Sequence, residues 1–152
     1  MSKLLFHYLE QQPRIKYVRK LKIFINNLFE NEKKKLNRID YIFCSDSYLL
    51  NINRQFLDHD FYTDIITFEL SQKTQPTSAE IYISVERVKE NSHKFKTTFE
   101  EELLRVIFHG ALHLCGYKDK DSEDFKVMRA KENYYITLFL ASVIVSRETN
   151  TA

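Results

Sequence analysis

The sequence predicts an α+β fold, in which a small mixed sheet of about four strands is covered by helices. Three observations lead to this class. Runs with strand character and runs with helical character alternate only in part along the chain. One helical run, residues 103–108, is apolar on several sides, which is typical of a buried central helix. The length of 152 residues is enough for one substantial core, so we expect residues 1–152 to form a single domain.

The first half of the chain is predicted to fold as strand, helix, strand and helix. Residues 4–9 are β-prone, and apolar residues recur at helical spacing after Pro13. Residues 38–44 form the next β-rich run. Ser45 follows this run and can cap a second helix.

The second half is predicted to contain two strands and three helices. The first elements are expected, in order, to be a strand over 63–70, a polar loop over 71–78, a strand over 81–84 and a helix over 85–94. Thr98 and Glu101 form a capping box that begins the central helix. Ser122 is expected to cap the last helix, whose apolar side would carry Phe125, Met128, Tyr135 and Leu138.

The composition excludes several classes of protein. Cys44 and Cys115 are too few for a disulfide framework and fit a reducing compartment. The N-terminal residues lack a long apolar stretch with a cleavage site, and the longest apolar run, residues 134–145, is too short to span a membrane. We therefore expect a cytoplasmic protein with no membrane partner.

The formal net charge is only +2, but it is unevenly distributed. Residues 1–40 contain ten Lys and Arg against four Asp and Glu. These cations could form a solvated surface, as charge runs usually do, or they could bind phosphates. The candidate phosphate-binding residues lie at 14–22, on the basic face of the first helix, and at 33–35.

The segment from His109 to Asp119 carries the strongest chemical signal. Both glycines of the chain, Gly110 and Gly116, lie in it. His109 and His113 are four residues apart and share one face of a helix, so both imidazoles can bind one metal ion. Gly116 allows the helix to end, which brings Asp119 within reach as a third ligand. Such a ligand set is typical of catalytic zinc, although it also suits iron.

Gly110 occupies the position where zinc peptidases with two histidines on a helix carry their general-base Glu, so a peptidase is disfavoured. We expect this glycine to leave space beside the metal for a bulky substrate. The other candidate side chains are interpreted as structural. Cys115 should pack into the core, and His7, His59 and His93 should be surface or loop residues.

Residues 109–119, His-Gly-Ala-Leu-His-Leu-Cys-Gly-Tyr-Lys-Asp, resemble the YbeY family signature His-Gly-x-Leu-His-Leu-x-Gly-Tyr-Asp-His and differ only at its last two specified positions. Two further segments agree in order. Residues 62–68 are similar to the family's Pro-Thr-Asp-Val-Leu-Ser-Phe, and residues 79–84 to its Gly-Asp-Ile-x-Ile-Ser. The chain thus resembles the bacterial metal-dependent endoribonucleases of this family over most of its length.

The resemblance implies a single-strand-specific endoribonuclease that processes the 3′ end of the small-subunit ribosomal RNA and acts in ribosome maturation and quality control. It implies ribosomal RNA and the small ribosomal subunit as partners, and no nucleotide cofactor. One Zn²⁺ ion per chain, or another divalent metal, would be held by His109, His113 and Asp119.

Three departures from the family pattern matter. Asp119 stands where the family has a third His, and its charge should make a zinc-bound water less acidic. Leu57 stands where the family commonly has an Arg, and the nearest Arg is Arg54. Glu80 replaces the Asp of the Gly-Asp pair; it is either an acid/base group or partner of a metal ligand, or a surface acid. No other catalytic residue is identified.

Three alternatives to a metal-dependent endoribonuclease stay open on the sequence. Leu57 motivates a non-catalytic ribosome-assembly factor with a structural metal. The metal motif alone also fits a metal hydrolase of another substrate class. The ligand set of two His and one carboxylate fits a non-haem iron oxygenase.

Overall fold

Four strands and five helices make up the part of the chain that the computed structural model describes, residues 2–10 and 12–150, the last five by backbone alone. The elements follow in the order β1 (Lys3–Tyr8), α1 (Val18–Asn31), β2 (Leu36–Cys44), α2 (Asp46–Phe56), β3 (Ile65–Glu69), β4 (Thr77–Ser84), α3 (Val85–Lys94), α4 (Phe99–Leu114) and α5 (Ser122–Asn150).

The strands form one mixed sheet in the order β1-β2-β4-β3. Strands β1, β2 and β4 are parallel, and the helical connections between them make this possible. Strand β3 precedes β4 directly in the chain and pairs with it antiparallel. The predicted α+β class with a four-stranded mixed sheet is therefore confirmed.

The two faces of the sheet are covered unequally. One face carries the main core, to which β2 and β4 contribute alternate residues and onto which α1, α4 and α5 pack. The other face is covered by α2, with a small cluster of Cys44, Leu49, Ile52 and Ile66. Side chains on this second face are separated from the main core by the sheet itself.

Helix α4 is the buried central helix that the apolar run predicts. Ile107 and Phe108 are fully buried, and the Tyr41 hydroxyl donates to the Ile107 carbonyl oxygen at 3.1 Å. Thr98 caps the helix, since its hydroxyl oxygen accepts from the backbone N–H of Glu101 at 3.1 Å. The helix that carries both candidate histidines is thus fixed against the sheet.

Gly110 faces the sheet, which corrects the expectation that it leaves room beside the metal. A Cβ at this position would lie 3.0 Å from the Cδ1 atoms of both Ile65 and Ile81. The missing side chain therefore allows α4 to approach β3 and β4 closely.

Strand β4 begins earlier than predicted. Thr77 pairs with Leu36 and Ser78 with Arg38, so the first four residues of β4 extend the sheet alongside the long β2. The polar sequence predicts a loop through Ser78, since serine, alanine and glutamate have little strand propensity. Pairing with a neighbouring strand outweighs that local preference.

The last helix also differs from the prediction. Asp121, and not Ser122, caps α5, because its carboxylate accepts from the backbone N–H of Asp124 at 2.8 Å. Met128 and Tyr135 are buried as expected, but Phe125 is 54% and Leu138 39% exposed. No helix in the described residues is both long enough and apolar enough to cross a membrane.

Candidate metal centre and its cleft

His109, His113 and Asp119 converge at the C-terminal end of α4, as the sequence predicts. One ligand atom from each lies within 4.8 Å of the other two. The Nε2 atom of His109 is 3.1 Å from one carboxylate oxygen of Asp119, and that of His113 is 3.8 Å from the other. Two imidazoles and one carboxylate in this arrangement could hold a single divalent ion.

The turn that brings Asp119 to the histidines depends on Gly116. Its φ of +106° lies in a region that side chains disfavour. The backbone N–H of Tyr117 donates to the Leu112 carbonyl at 3.1 Å, and that of Gly116 to the His113 carbonyl at 3.0 Å. This pair of bonds is a Schellman motif, which ends α4 and reverses the chain.

Both imidazole rings are oriented through their Nδ1 atoms. His109 Nδ1 lies 2.6 Å from a carboxylate oxygen of Glu132, and His113 Nδ1 lies 2.6 Å from the carbonyl oxygen of Tyr117. Because an ionised carboxylate and a carbonyl can only accept, each Nδ1 carries the proton and donates. Each Nε2 faces the Asp119 carboxylate, and without a proton it would offer its lone pair to a metal ion bound there, which is the arrangement that metal-binding histidines normally show.

Burial and nearby carboxylates have opposite effects on the pKa of His109. Burial lowers the pKa of His109, but the hydrogen bond and charge of Glu132, with the charge of Asp119, outweigh it and leave the pKa above its ordinary value. Burial raises the pKa of the half-buried Asp64, and the charge of His109 opposes this only in part. A metal would compete with a proton for His109, so we expect metal binding to weaken in acid.

Glu132 is the important residue that sequence reasoning missed. It lies on α5, is 3% exposed, and also accepts from Arg105 at 3.0 Å. A signal was present, because Glu132 lies four residues after Met128 and three before Tyr135, on the apolar side of the helix. A carboxylate at such a position needs a buried partner, but the sequence does not show that the partner is His109.

The candidate metal centre lies in a cleft of about 720 Å³. Besides the three candidate ligands, its lining contains acidic, basic and aromatic side chains. The acids are Asp64, Glu102 and Glu132, the cations are Arg105, Lys120 and Arg129, and the aromatic residues are His59, Phe61, Phe95 and Phe125. A cleft of this size can hold a nucleotide-sized group.

Glu80 lies away from this cleft, on the face of the sheet that α2 covers. It accepts from the Tyr82 hydroxyl at 3.3 Å and lines a separate cavity with Tyr48 and Phe56. The neighbouring Ile81 points into the main core instead. Strand alternation therefore separates Glu80 from the histidines.

Other predicted residues are placed as follows. Leu57 lines the cleft, but Arg54 pairs with Asp60 and is not part of the lining. Cys115 packs against the main core as predicted, and burial raises the pKa of its thiol to about 12. His59 is exposed and in a loop, as expected, yet it also lines the cleft.

The basic N-terminal segment does not enter the cleft. Among the residues that the structure describes, the lining begins at Asn53 in chain order, so it includes neither residues 14–22 nor residues 33–35. Arg105, Lys120 and Arg129 supply the positive charge within the cleft. Any role of the N-terminal cations in binding phosphates must therefore concern phosphates outside the cleft.

The fold and the site define a small α+β protein with a candidate divalent-metal centre at the end of its central helix. Both histidines of this centre donate hydrogen bonds to acceptors that lie outside α4. A family model described as Endoribonuclease YbeY matches residues 8–139. The chain belongs to the YbeY family, and the resemblance stated from the sequence is confirmed.

Relatives and a solved structure agree with this assignment. The chain is 43% identical over 129 residues to Endoribonuclease YbeY of Cytophaga hutchinsonii, covering 85% of this chain and 90% of the relative. It is 49% identical over 116 residues to Endoribonuclease YbeY of Flavobacterium psychrophilum, covering 76% and 82%. A solution structure of a Thermotoga maritima protein matches with a TM-score of 0.61 and 28% identity, covering 95% of this chain and 93% of that one.

Proposed function

We propose that this protein is a metal-dependent endoribonuclease that cleaves single-stranded ribosomal RNA precursors, including the 3′ end of the small-subunit RNA. His109, His113 and Asp119 would hold one divalent ion, with Zn²⁺ the first candidate. The observation that carries the proposal is the orientation of the two imidazoles, whose Nδ1 atoms are both engaged while their Nε2 atoms point to one carboxylate. Hydrogen bonds that orient the rings through Nδ1 and leave Nε2 for the metal are characteristic of histidine ligands.

A bound divalent ion would supply Lewis acidity toward a phosphate oxygen and would acidify a water molecule. The chain itself supplies the remaining functions. Lys120 and Arg129 lie in the cleft, where their charge can hold the phosphates on either side of the bond that breaks. Asp64 is the half-buried carboxyl that we propose to accept or donate a proton, since it lines the cleft beside the histidines and burial raises its pKa.

The RNA substrate follows from family membership, and its ribosomal origin is the finer part of the proposal. A ribosomal RNA substrate implies the small ribosomal subunit as partner and a cytoplasmic location. The basic residues at 14–22 and 33–35 would contact RNA phosphates outside the cleft, because they do not line it. Family membership also favours an RNA substrate over the peptidase and oxygenase alternatives.

The test is cleavage of a single-stranded ribosomal RNA precursor fragment by three proteins purified in parallel. The wild type loaded with zinc should cleave, and the chelated wild type should not. His113→Ala should lose activity even with zinc. His93→Ala is the matched control, because His93 lies on α3 and lines a different cavity, and it should cleave like the wild type.

Equal cleavage by His113→Ala and the wild type would contradict the proposal. It would mean that the activity belongs to a contaminating nuclease or to another site. Cleavage of unrelated single strands at the same rate would leave the endoribonuclease in place and remove only the ribosomal specificity.

A second candidate function is ribosome assembly with a structural metal, and Leu57 in the lining of the cleft favours it. Thermal unfolding with and without chelator separates the two roles. A structural metal predicts a large fall in the unfolding temperature on chelation, with no cleavage in any metal form. A catalytic metal predicts cleavage together with a smaller effect on unfolding.

A further inference from the structure

Exposed aromatic side chains surround the metal cleft. Phe61, Phe95 and Phe125 are 55%, 52% and 54% exposed, and all three line it. They come from three separate parts of the chain: the loop after α2, the end of α3 and the first turn of α5. The fold thus brings distant apolar rings to one opening and leaves them uncovered.

One of these rings belongs to a stacked pair. The rings of His59 and Phe61 lie nearly parallel, with centroids 5.0 Å apart and planes at 21°. The side chain of Asn53, which is 1% exposed, donates to the Phe61 carbonyl at 2.9 Å. The backbone carbonyl of Asn53 accepts from the His59 N–H at 3.0 Å. The pair is therefore held in position from the buried side of α2.

Positive charge shares the cleft with these rings. The side chain of Arg129 is 46% exposed, and Lys120 is also part of the lining. Aromatic rings with cations beside them are the features that bind single-stranded nucleic acid, because bases stack on the rings while the cations contact phosphates. A duplex keeps its base faces covered by neighbouring pairs and cannot use such a platform.

We propose that the stacked pair His59–Phe61, assisted by Phe95 and Phe125, is a base-stacking platform for unpaired nucleotides beside the metal centre. The proposal rests on the proposed endoribonuclease function and identifies the residues that make it prefer single strands. Stacking tolerates any base, so the platform selects for unpaired structure and contributes little sequence preference.

The experiment measures binding without cleavage. A short oligoribonucleotide carries 2-aminopurine at one position at a time and is titrated with protein in the presence of chelator, and the quenching of its fluorescence reports stacking. The variants are Phe61→Ala and Phe61→Tyr. Phe56→Ala is the matched control, because Phe56 is a 68% exposed aromatic residue on α2 that lines a different cavity.

At one position of the oligonucleotide, wild-type protein should quench the fluorescence strongly. Phe61→Ala should lose that quenching and bind about tenfold more weakly, a typical effect for one stacked base. Phe61→Tyr and Phe56→Ala should behave like the wild type. Replacing the stacked nucleotide by an abasic one should weaken the wild type and leave Phe61→Ala unchanged.

Three results would overturn the platform. One is unchanged quenching and affinity in Phe61→Ala, which would indicate that the aromatic rim of the cleft (Phe61, Phe95 and Phe125) serves another purpose, such as a protein contact. Another is an equal loss in Phe56→Ala. The third is equal binding of duplex and single strand by the wild type. Cleavage by the zinc-loaded protein is measured separately, so the endoribonuclease proposal can stand when the platform fails.

Discussion

The two histidines of the candidate metal centre lie one helical turn apart, but each is oriented by a different kind of partner. His109 belongs to a buried half of the site, where its side chain is 20% exposed and its partner Glu132 is a charged side chain from α5. His113 belongs to an exposed half, where its side chain is 37% exposed and its partner is the backbone carbonyl of Tyr117.

The buried half is an ion network. Glu132 accepts from both His109 and Arg105, and the Nε of Arg105 is buried without a hydrogen-bond partner among the described residues. Glu132 therefore does two things, since it orients a candidate metal ligand and neutralises a largely buried guanidinium. Removing this carboxylate should disturb both stability and metal binding.

In the exposed half, a backbone carbonyl orients the histidine. The carbonyl that orients His113 is placed by the Gly116 turn, and the Tyr117 hydroxyl anchors that turn by donating to Glu32 at 2.7 Å. Lys131 and Tyr135 from α5 bind the same Glu32 carboxylate. The acceptor of His113 is a backbone carbonyl, so a substitution can disturb it only indirectly, by changing the turn. We therefore expect smaller losses of stability and metal affinity there than from substitution of Glu132.

The largest effect is expected from the buried half. Glu132→Ala should lower the free energy of unfolding by about 3 kcal/mol, because Arg105 would lose its hydrogen-bonded carboxylate and keep only the more distant Glu101 and Glu102. Glu132→Gln keeps the volume and should lower metal affinity about 10- to 100-fold through His109. Chemical denaturation and competition with a chromophoric chelator measure these quantities.

Glu123→Ala is the control for the buried half. Glu123 is on the same helix, its side chain is 83% exposed, and its substitution should change neither quantity. Wild-type metal affinity in a folded Glu132→Gln protein would show that the carboxylate does not orient His109 for metal.

An intermediate effect is expected from Gly116→Ala. A side chain at φ +106° is strained, so the variant should lose about 1–2 kcal/mol of unfolding free energy. Metal affinity should fall as well, because the turn positions both Asp119 and the acceptor of His113. Gly110→Ala is the comparison: its Cβ would crowd the Ile65 and Ile81 side chains at 3.0 Å, but alanine favours the helix, so the two effects offset each other and the net change should stay within about 1 kcal/mol. A larger loss of unfolding free energy in Gly110→Ala than in Gly116→Ala would contradict the conclusion that the turn is the more sensitive of the two positions.

A smaller, pH-dependent effect is expected from Glu32→Gln. Burial raises the pKa of Glu32, but hydrogen bonds from Tyr135, Tyr117 and Lys131 outweigh it and hold the pKa below its ordinary value of 4.5. A lowered pKa stabilises the fold above the unfolded-state value and loses that contribution as the pH falls through the folded-state value. Urea denaturation should show Glu32→Gln less stable by about 1 kcal/mol at neutral pH. The difference should shrink in acid; a constant difference at all pH values would contradict the ionised network.

The smallest effect is expected on the opposite face of the sheet. Glu80→Gln should leave metal affinity and cleavage unchanged, because the sheet separates Glu80 from the centre. Parallel assays of Glu80→Gln and Asp64→Asn would show this contrast. A marked loss of cleavage in Glu80→Gln would return Glu80 to the catalytic residues.

Local chemical signals made much of this protein predictable. The spacing of His109 and His113, the glycine at the end of α4 and the capping residues Ser45 and Thr98 all act through neighbouring residues. Such features depend on the backbone within one or two turns. The position of Asp119 was predictable for the same reason, since only a short turn separates it from His113.

Features that depend on packing between distant elements were not predictable. Glu132 meets His109 only because α5 packs on α4, and Glu80 faces away because α4 packs on the face of β4 that carries Ile81. The aromatic rim likewise combines three segments that lie far apart in sequence. The sequence shows polar and aromatic residues at unexpected positions, but it does not show which residues they contact.

The most direct test of the metal centre is anomalous diffraction from a crystal of the zinc-loaded protein. The ion should lie within about 2.0–2.2 Å of His109 Nε2, His113 Nε2 and one carboxylate oxygen of Asp119, with Nδ1 of His109 still bonded to Glu132 and Nδ1 of His113 to the Tyr117 carbonyl. An ion bound elsewhere, or bound through an Nδ1 atom, would contradict the account.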